Sequence, residues 1–180
     1  MDRVRLATVW LAGCSGCHMS FLDLDEWLIE LAGRAELVYS PLADVKEYPE
    51  GVDVALVEGA VANEENLRMV RQVRARSKVL VSFGDCAVTG NVTALRNPLG
   101  VALEVLRPVY LESGDLNARI PDEKGIVPVL LDRVQPLHAV VPVDFYLPGC
   151  PPDARRIRTV LEDVVAGKAP QLDAAQRRFG

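Results

Sequence analysis

Four cysteines hold most of the chemistry this sequence offers. Cys14 and Cys17 stand in Gly13-Cys14-Ser15-Gly16-Cys17, Cys86 in Gly84-Asp85-Cys86-Ala87, and Cys150 in Pro148-Gly149-Cys150-Pro151-Pro152. Each group is a Gly- or Pro-rich turn that follows an apolar run reading as a strand. A cubane iron–sulfur cluster takes one thiolate per iron. A C-x2-C turn can serve two neighbouring irons, and distant cysteines complete the set. Adjacent glycines let backbone N–H groups approach such an anionic centre, and helix N-termini stabilise it. A structural zinc ion also accepts four thiolates. Zinc sites usually draw on two close pairs, whereas only Cys14 and Cys17 are close here, so one [4Fe–4S] cluster is favoured. Cysteines acting as small buried hydrophobes are the bland alternative, which suits a lone cysteine better than four at strand ends.

Other residues could act beside them. Glu58, in Val57-Glu58-Gly59, follows a further apolar run and should face the same rim. A carboxylate there could relay protons or meet a partner, although a solvated or helix-capping acid is the simpler expectation. Asp85 carries the same ambiguity. His18, next to Cys17, could donate a hydrogen bond near a cluster, but a helix-surface position without a metal role is expected. His138 falls in a connection and is assigned nothing. Trp10 and Trp27 read as packing residues, and Arg68, Arg71, Arg74 and Arg76 as the wet face of a helix. The sequence has no G-x4-G-K-[ST], G-x-S-x-G, H-E-x-x-H or G-x-G-x-x-G. Cysteines occupy the turn where a flavin phosphate loop would lie.

The bulk numbers narrow the class. The 180 residues are 49% hydrophobic and 25% charged, which suits a single domain spanning 1–180. A net charge of −5 gives no reason to expect nucleic acid. No apolar run is long enough to span a bilayer, so no direct membrane insertion is expected. The first residues, Met1-Asp2-Arg3-Val4-Arg5, resemble neither a signal peptide nor a twin-arginine leader, which points to the cytoplasm and reduced thiols.

Strands and helices should alternate. Strands are expected at 5–11, 36–39, 52–57, 78–83 and 143–147. A helix over 17–32 would carry Phe21, Leu24, Leu28 and Leu31 on one stripe and end at Gly33. Asn63 should cap a helix over 64–76. A short helix over 101–106 fits between two prolines, and 127–134 stays ambiguous. A last helix should start at Pro151-Pro152, present Ile157, Val160, Leu161, Val164 and Val165, and close at Gly167. Residues 108–126 read as a surface loop or insertion and 169–180 as a loose tail. This order predicts an α/β fold, a flavodoxin-like parallel five-stranded sheet with helices on both faces. Ligands of such sheets sit beyond the carboxyl ends of the strands, where all four cysteines should fall.

Taken together, Cys14-Ser15-Gly16-Cys17, Val57-Glu58-Gly59, Gly84-Asp85-Cys86-Ala87 and Pro148-Gly149-Cys150-Pro151-Pro152 resemble the small subunit of [NiFe] hydrogenases, from about Val4 to Gly167. The resemblance implies that Cys14, Cys17, Cys86 and Cys150 hold a cluster proximal to a Ni–Fe centre on the large subunit, with Glu58 at the subunit interface. Many members carry two more clusters in a carboxyl-terminal region, and periplasmic members a twin-arginine leader. Without either, this sequence is most similar to the short, single-cluster small subunit of soluble NAD(P)-linked, bidirectional hydrogenases. The implied partners are the large subunit and a diaphorase pair that carries flavin and binds NAD(P). Alternatives are the small subunit of a membrane-bound or formate-linked [NiFe] complex and the cluster-bearing subunit of quinone reductases. The latter places two cysteines side by side, unlike Cys14 and Cys17. A zinc-stabilised interaction domain is the alternative from a different class.

Overall fold

A computed structural model describes residues 3–113 and 118–177. Five parallel strands form the main sheet: β1 (Val4–Trp10), β2 (Ala35–Tyr39), β3 (Val52–Glu58), β5 (Ser77–Phe83) and β7 (Phe145–Leu147), in the order β2-β1-β3-β5-β7. This is the flavodoxin-like order. Side chains alternate across the strands, so each strand feeds two cores. Leu6, Leu56, Val81 and Phe83 face one side. There they pack with residues of α1 (Gly16–Leu22), α2 (Trp27–Arg34) and α7 (Ala154–Val165). Ala7, Val9, Ala55, Val57 and Leu80 face the other side, against Val70 and Val73 of α3 (Glu64–Arg76). Covering both faces is what makes the parallel strands so uniformly apolar.

Three local expectations change. The helix expected over 17–32 is two helices, because Asp25 adopts the left-handed conformation at φ 49° and turns the chain between α1 and α2. The second helix runs through Gly33 to Arg34. The ambiguous stretch 127–134 yields β6 (Leu130–Gln135), which pairs antiparallel with β4 (Val61–Asn63), a short strand missed in the sequence. By contrast, Asn63 caps α3 as its residue type predicts, its side chain accepting the Asn66 N–H at 2.8 Å.

Between Gly84 and Glu112 the chain forms short pieces: α4 (Asp85–Thr89), α5 (Asn91–Ala94), α6 (Ala102–Arg107) and a π-helical turn at Pro108–Glu112. The stretch 108–126 therefore begins helically; its residues 114–117 lie outside the described residues. Within 169–180, Leu172 is buried in the α7-side core, while 178–180 also lie outside the description.

Candidate functional site

Because the strands are parallel, the loops after β1, β3, β5 and β7 leave from one rim. They are also stitched to one another. Leu11 N–H donates to Glu58 O at 2.8 Å, and Ala12 and Ala60 exchange backbone hydrogen bonds at 3.1 and 2.8 Å, which locks the post-β1 turn to the post-β3 turn. Gly84 N–H donates to Leu147 O and Asp85 N–H to Gly149 O, joining the post-β5 and post-β7 turns. The Asp85 carboxylate accepts the Gly149 N–H at 2.6 Å, so this buried acid clamps the loop that presents Cys150. Ser20 in α1 donates to Pro152 O at 2.6 Å, and Arg156 in α7 donates to Pro148 O.

These contacts bring the four cysteines to one rim. Cys17 and Cys86 are buried; Cys14 and Cys150 are exposed. Burial, then the Glu58 carboxylate, then the charges of Cys86, Cys14 and Cys150 push the Cys17 thiol up from its ordinary range. Burial likewise raises Cys86, with Cys150 and Cys14 adding to the effect and a hydrogen bond from Thr93 opposing it. Among the described residues, no three His, Cys, Asp or Glu side chains are close enough to hold a single metal ion. Gly84 makes the approach of the β5 turn to Cys17 feasible. At φ +83° it occupies the left-handed region, and a Cβ there would stand 2.2 Å from Cys17 Sγ. Asn91 Nδ2 donates to Cys150 Sγ and Gly16 N–H to Cys14 Sγ, both at 3.4 Å.

Glu58 and His18 depart most from expectation. Glu58 is 1% exposed rather than solvated. Its carboxylate accepts the Cys17 N–H at 3.4 Å and the His18 N–H at 3.1 Å, so it does cap, but it caps α1 from another strand. His18 is 3% exposed, not on the surface, and its Nδ1 hydrogen-bonds Glu58 Oε2. The buried stripe contained the signal: His18 precedes Phe21 by one helical turn, and its polar type concealed it. Trp10 is half-exposed and donates to Gly13 O, so it steadies the cysteine turn from outside. Arg74 and Arg76 are less free than a wet face implies, since each pairs with an acid, Asp144 and Glu50. His138 lies in a short helical turn, its ring edge-on to Tyr146.

This arrangement has known relatives. Residues 14–164 match the family described as NADH ubiquinone oxidoreductase, 20 Kd subunit. The NAD-reducing hydrogenase HoxS subunit delta of Cupriavidus necator is 38% identical over 98% of this chain and 86% of its own length. One subunit of the F420-non-reducing hydrogenase of Methanocaldococcus jannaschii is 39% identical over 94% of this chain, which spans only 58% of that relative. A chain in the crystal structure of an H2-reduced NAD+-reducing [NiFe]-hydrogenase superposes with a TM-score of 0.93 at 40% identity, covering 99% of this chain and 100% of that one. The chain belongs to the family of the NADH ubiquinone oxidoreductase 20 kDa subunit, an electron-transfer family. Within it the chain is a homologue of the small subunit of NAD-reducing [NiFe] hydrogenases. The family name comes from the quinone-reductase subunit, whereas the relatives above are hydrogenase subunits. Among the described residues, no helix is long and apolar enough to cross a membrane.

Proposed function

We propose that this chain is the one-cluster relay subunit of a cytoplasmic, NAD(P)-linked [NiFe] hydrogenase, with Cys14, Cys17, Cys86 and Cys150 as the ligands of one [4Fe–4S] cluster. The observation that carries this reading is the convergence of three cysteine turns on one rim, tied together by the Asp85–Gly149 and Ala12–Ala60 hydrogen bonds. The donor set suits the group. Four thiolates, two from one C-x2-C turn and one from each of two other strand-end turns, meet the demand of a four-iron cube for one thiolate per iron. When bound, the cluster would supply a one-electron carrier between the Ni–Fe centre of a large subunit and a flavin-containing diaphorase pair. The assembly would run H2 + NAD+ to NADH + H+ reversibly.

The chain's own part is to hold and tune. Cys17 and Cys86 sit on the dry side and Cys14 and Cys150 on the open side, which leaves the open side to face the large subunit. The N–H of Gly16 and the amide of Asn91 donate to Cys14 and Cys150; donors to ligand sulfurs favour the more negative state. Anaerobic copurification tests the reading. A nickel-containing subunit, a flavoprotein pair, and iron with acid-labile sulfide should accompany the chain. Zinc without sulfide would defeat it.

A further inference from the structure

Glu58 and His18 form a buried unit that reaches from β3 to the cysteine turn. One carboxylate accepts the Cys17 N–H and the His18 N–H and is hydrogen-bonded to His18 Nδ1. Cys17 is the more buried end of the C-x2-C pair, and these bonds span about 40 residues of sequence. The turn is laid directly on this acid: a Cβ at Gly13 would stand 3.2 Å from Gly59 Cα and 3.6 Å from Glu58 Oε1. His18 packs against Phe83 at the end of β5, with ring centroids 6.2 Å apart. Glu58 therefore touches the turn after β1 directly and the end of β5 through His18.

We infer that Glu58 is a positioning residue, which fixes the Cys17 turn by accepting its N–H groups and is itself held in place by His18. This rests on the reading of Cys17 as a cluster ligand. A buried backbone donor that loses its acceptor costs more than the bond itself contributed. A gap in the carboxylate's place would leave two backbone donors buried without partners, beside a ligand sulfur. The role depends on acceptor geometry, so an amide oxygen in the same place should preserve most of it.

The test uses the complex purified anaerobically through this chain, in wild-type, Glu58→Ala and Glu58→Gln forms. The readouts are iron and sulfide per chain, the EPR spectrum of the reduced protein, and the rate of iron release to a chelator. Glu58→Ala should release iron at least about tenfold faster and show a shifted EPR spectrum, the loss expected when buried backbone donors are left without their acceptor. Glu58→Gln should stay within about threefold of wild type, with a spectrum close to it. Wild-type iron retention and spectrum in Glu58→Ala would overturn the inference, as would equal loss in both variants. If Glu58→Ala does not accumulate, His18→Leu and His18→Asn replace it. Leucine, which cannot hold the carboxylate, should shift the EPR spectrum; asparagine, which still donates, should not. Identical spectra for both would also overturn it. Absence of iron and sulfide in the wild type would instead defeat the cluster reading itself.

Discussion

Replacing Gly84 by alanine tests the site at its tightest point. The new Cβ would lie 2.2 Å from Cys17 Sγ, while non-bonded carbon contacts settle at about 3.5–4.0 Å. Relief requires the sulfur or the β5 turn to move by roughly 1.5 Å. If Cys17 ligates the proposed cluster, such a shift would pull it off its iron, and the turn that moves also carries Asp85 and Cys86. Gly84 has φ +83° with ψ 162°, a combination essentially restricted to glycine, so alanine adds a backbone cost of about 1–3 kcal/mol as well. Gly51 separates the two effects. It too is left-handed, at φ +68°, but nothing lies within 4 Å of its Cβ position. Gly51→Ala should therefore show only the backbone cost, an apparent Tm lower by about 2–4 °C with full iron and sulfide. Gly84→Ala should lose at least about half of its iron and its native EPR signal, on the scale of a ligand removed. Full iron, sulfide and EPR signal in Gly84→Ala would refute the placement of Cys17 against the β5 turn.

Cys86→Ser and Cys150→Ser should each lower iron and sulfide and slow H2-dependent NAD+ reduction in the complex; wild-type rates would exclude the proposed ligand set. Asp85→Ala should destabilise the fold by about 1–3 kcal/mol, because the Gly149 N–H loses its carboxylate, and denaturant titration measures it. Asn63→Ala removes the α3 cap and should cost about 1 kcal/mol with no change in iron content. Tyr48 gives a pH prediction. Burial pushes its hydroxyl up to about 12, against the opposing bond to Ser77. The folded state then holds the phenolic proton more tightly than the unfolded one. Its contribution is complete below about pH 10 and falls away toward pH 12, by about 2–3 kcal/mol. Wild type should lose stability more steeply over that interval than Tyr48→Phe, as urea titrations at each pH would report.

The strands and their cysteine ends were legible because both depend on local pattern. Leu6, Val9, Val54, Leu56 and Val81 announce buried parallel strands, and Gly-Cys turns directly after them follow from strand ends. Asn63 announces its cap by type alone. Contacts that close over long sequence distances left no local trace. The Glu58–His18 bond joins residues 40 apart, and periodicity says nothing of which acid an N–H will find. The β4–β6 pair is short and its register shifts, so alternation never becomes visible. The break between α1 and α2 hides inside an unbroken apolar stripe, since Phe21, Leu24, Trp27 and Leu31 are all buried in the same core despite the turn at Asp25.

The order in which the rim is supplied has a consequence for biosynthesis. Its thiols come from positions 14, 17, 86 and 150, and the clasp between Ser20 and Pro152 spans 132 residues. A ribosome releases three of the sulfurs long before the fourth. On the proposed ligand set, a four-thiolate cluster could be completed only after translation has passed Cys150 and the Ser20–Pro152 clasp has closed.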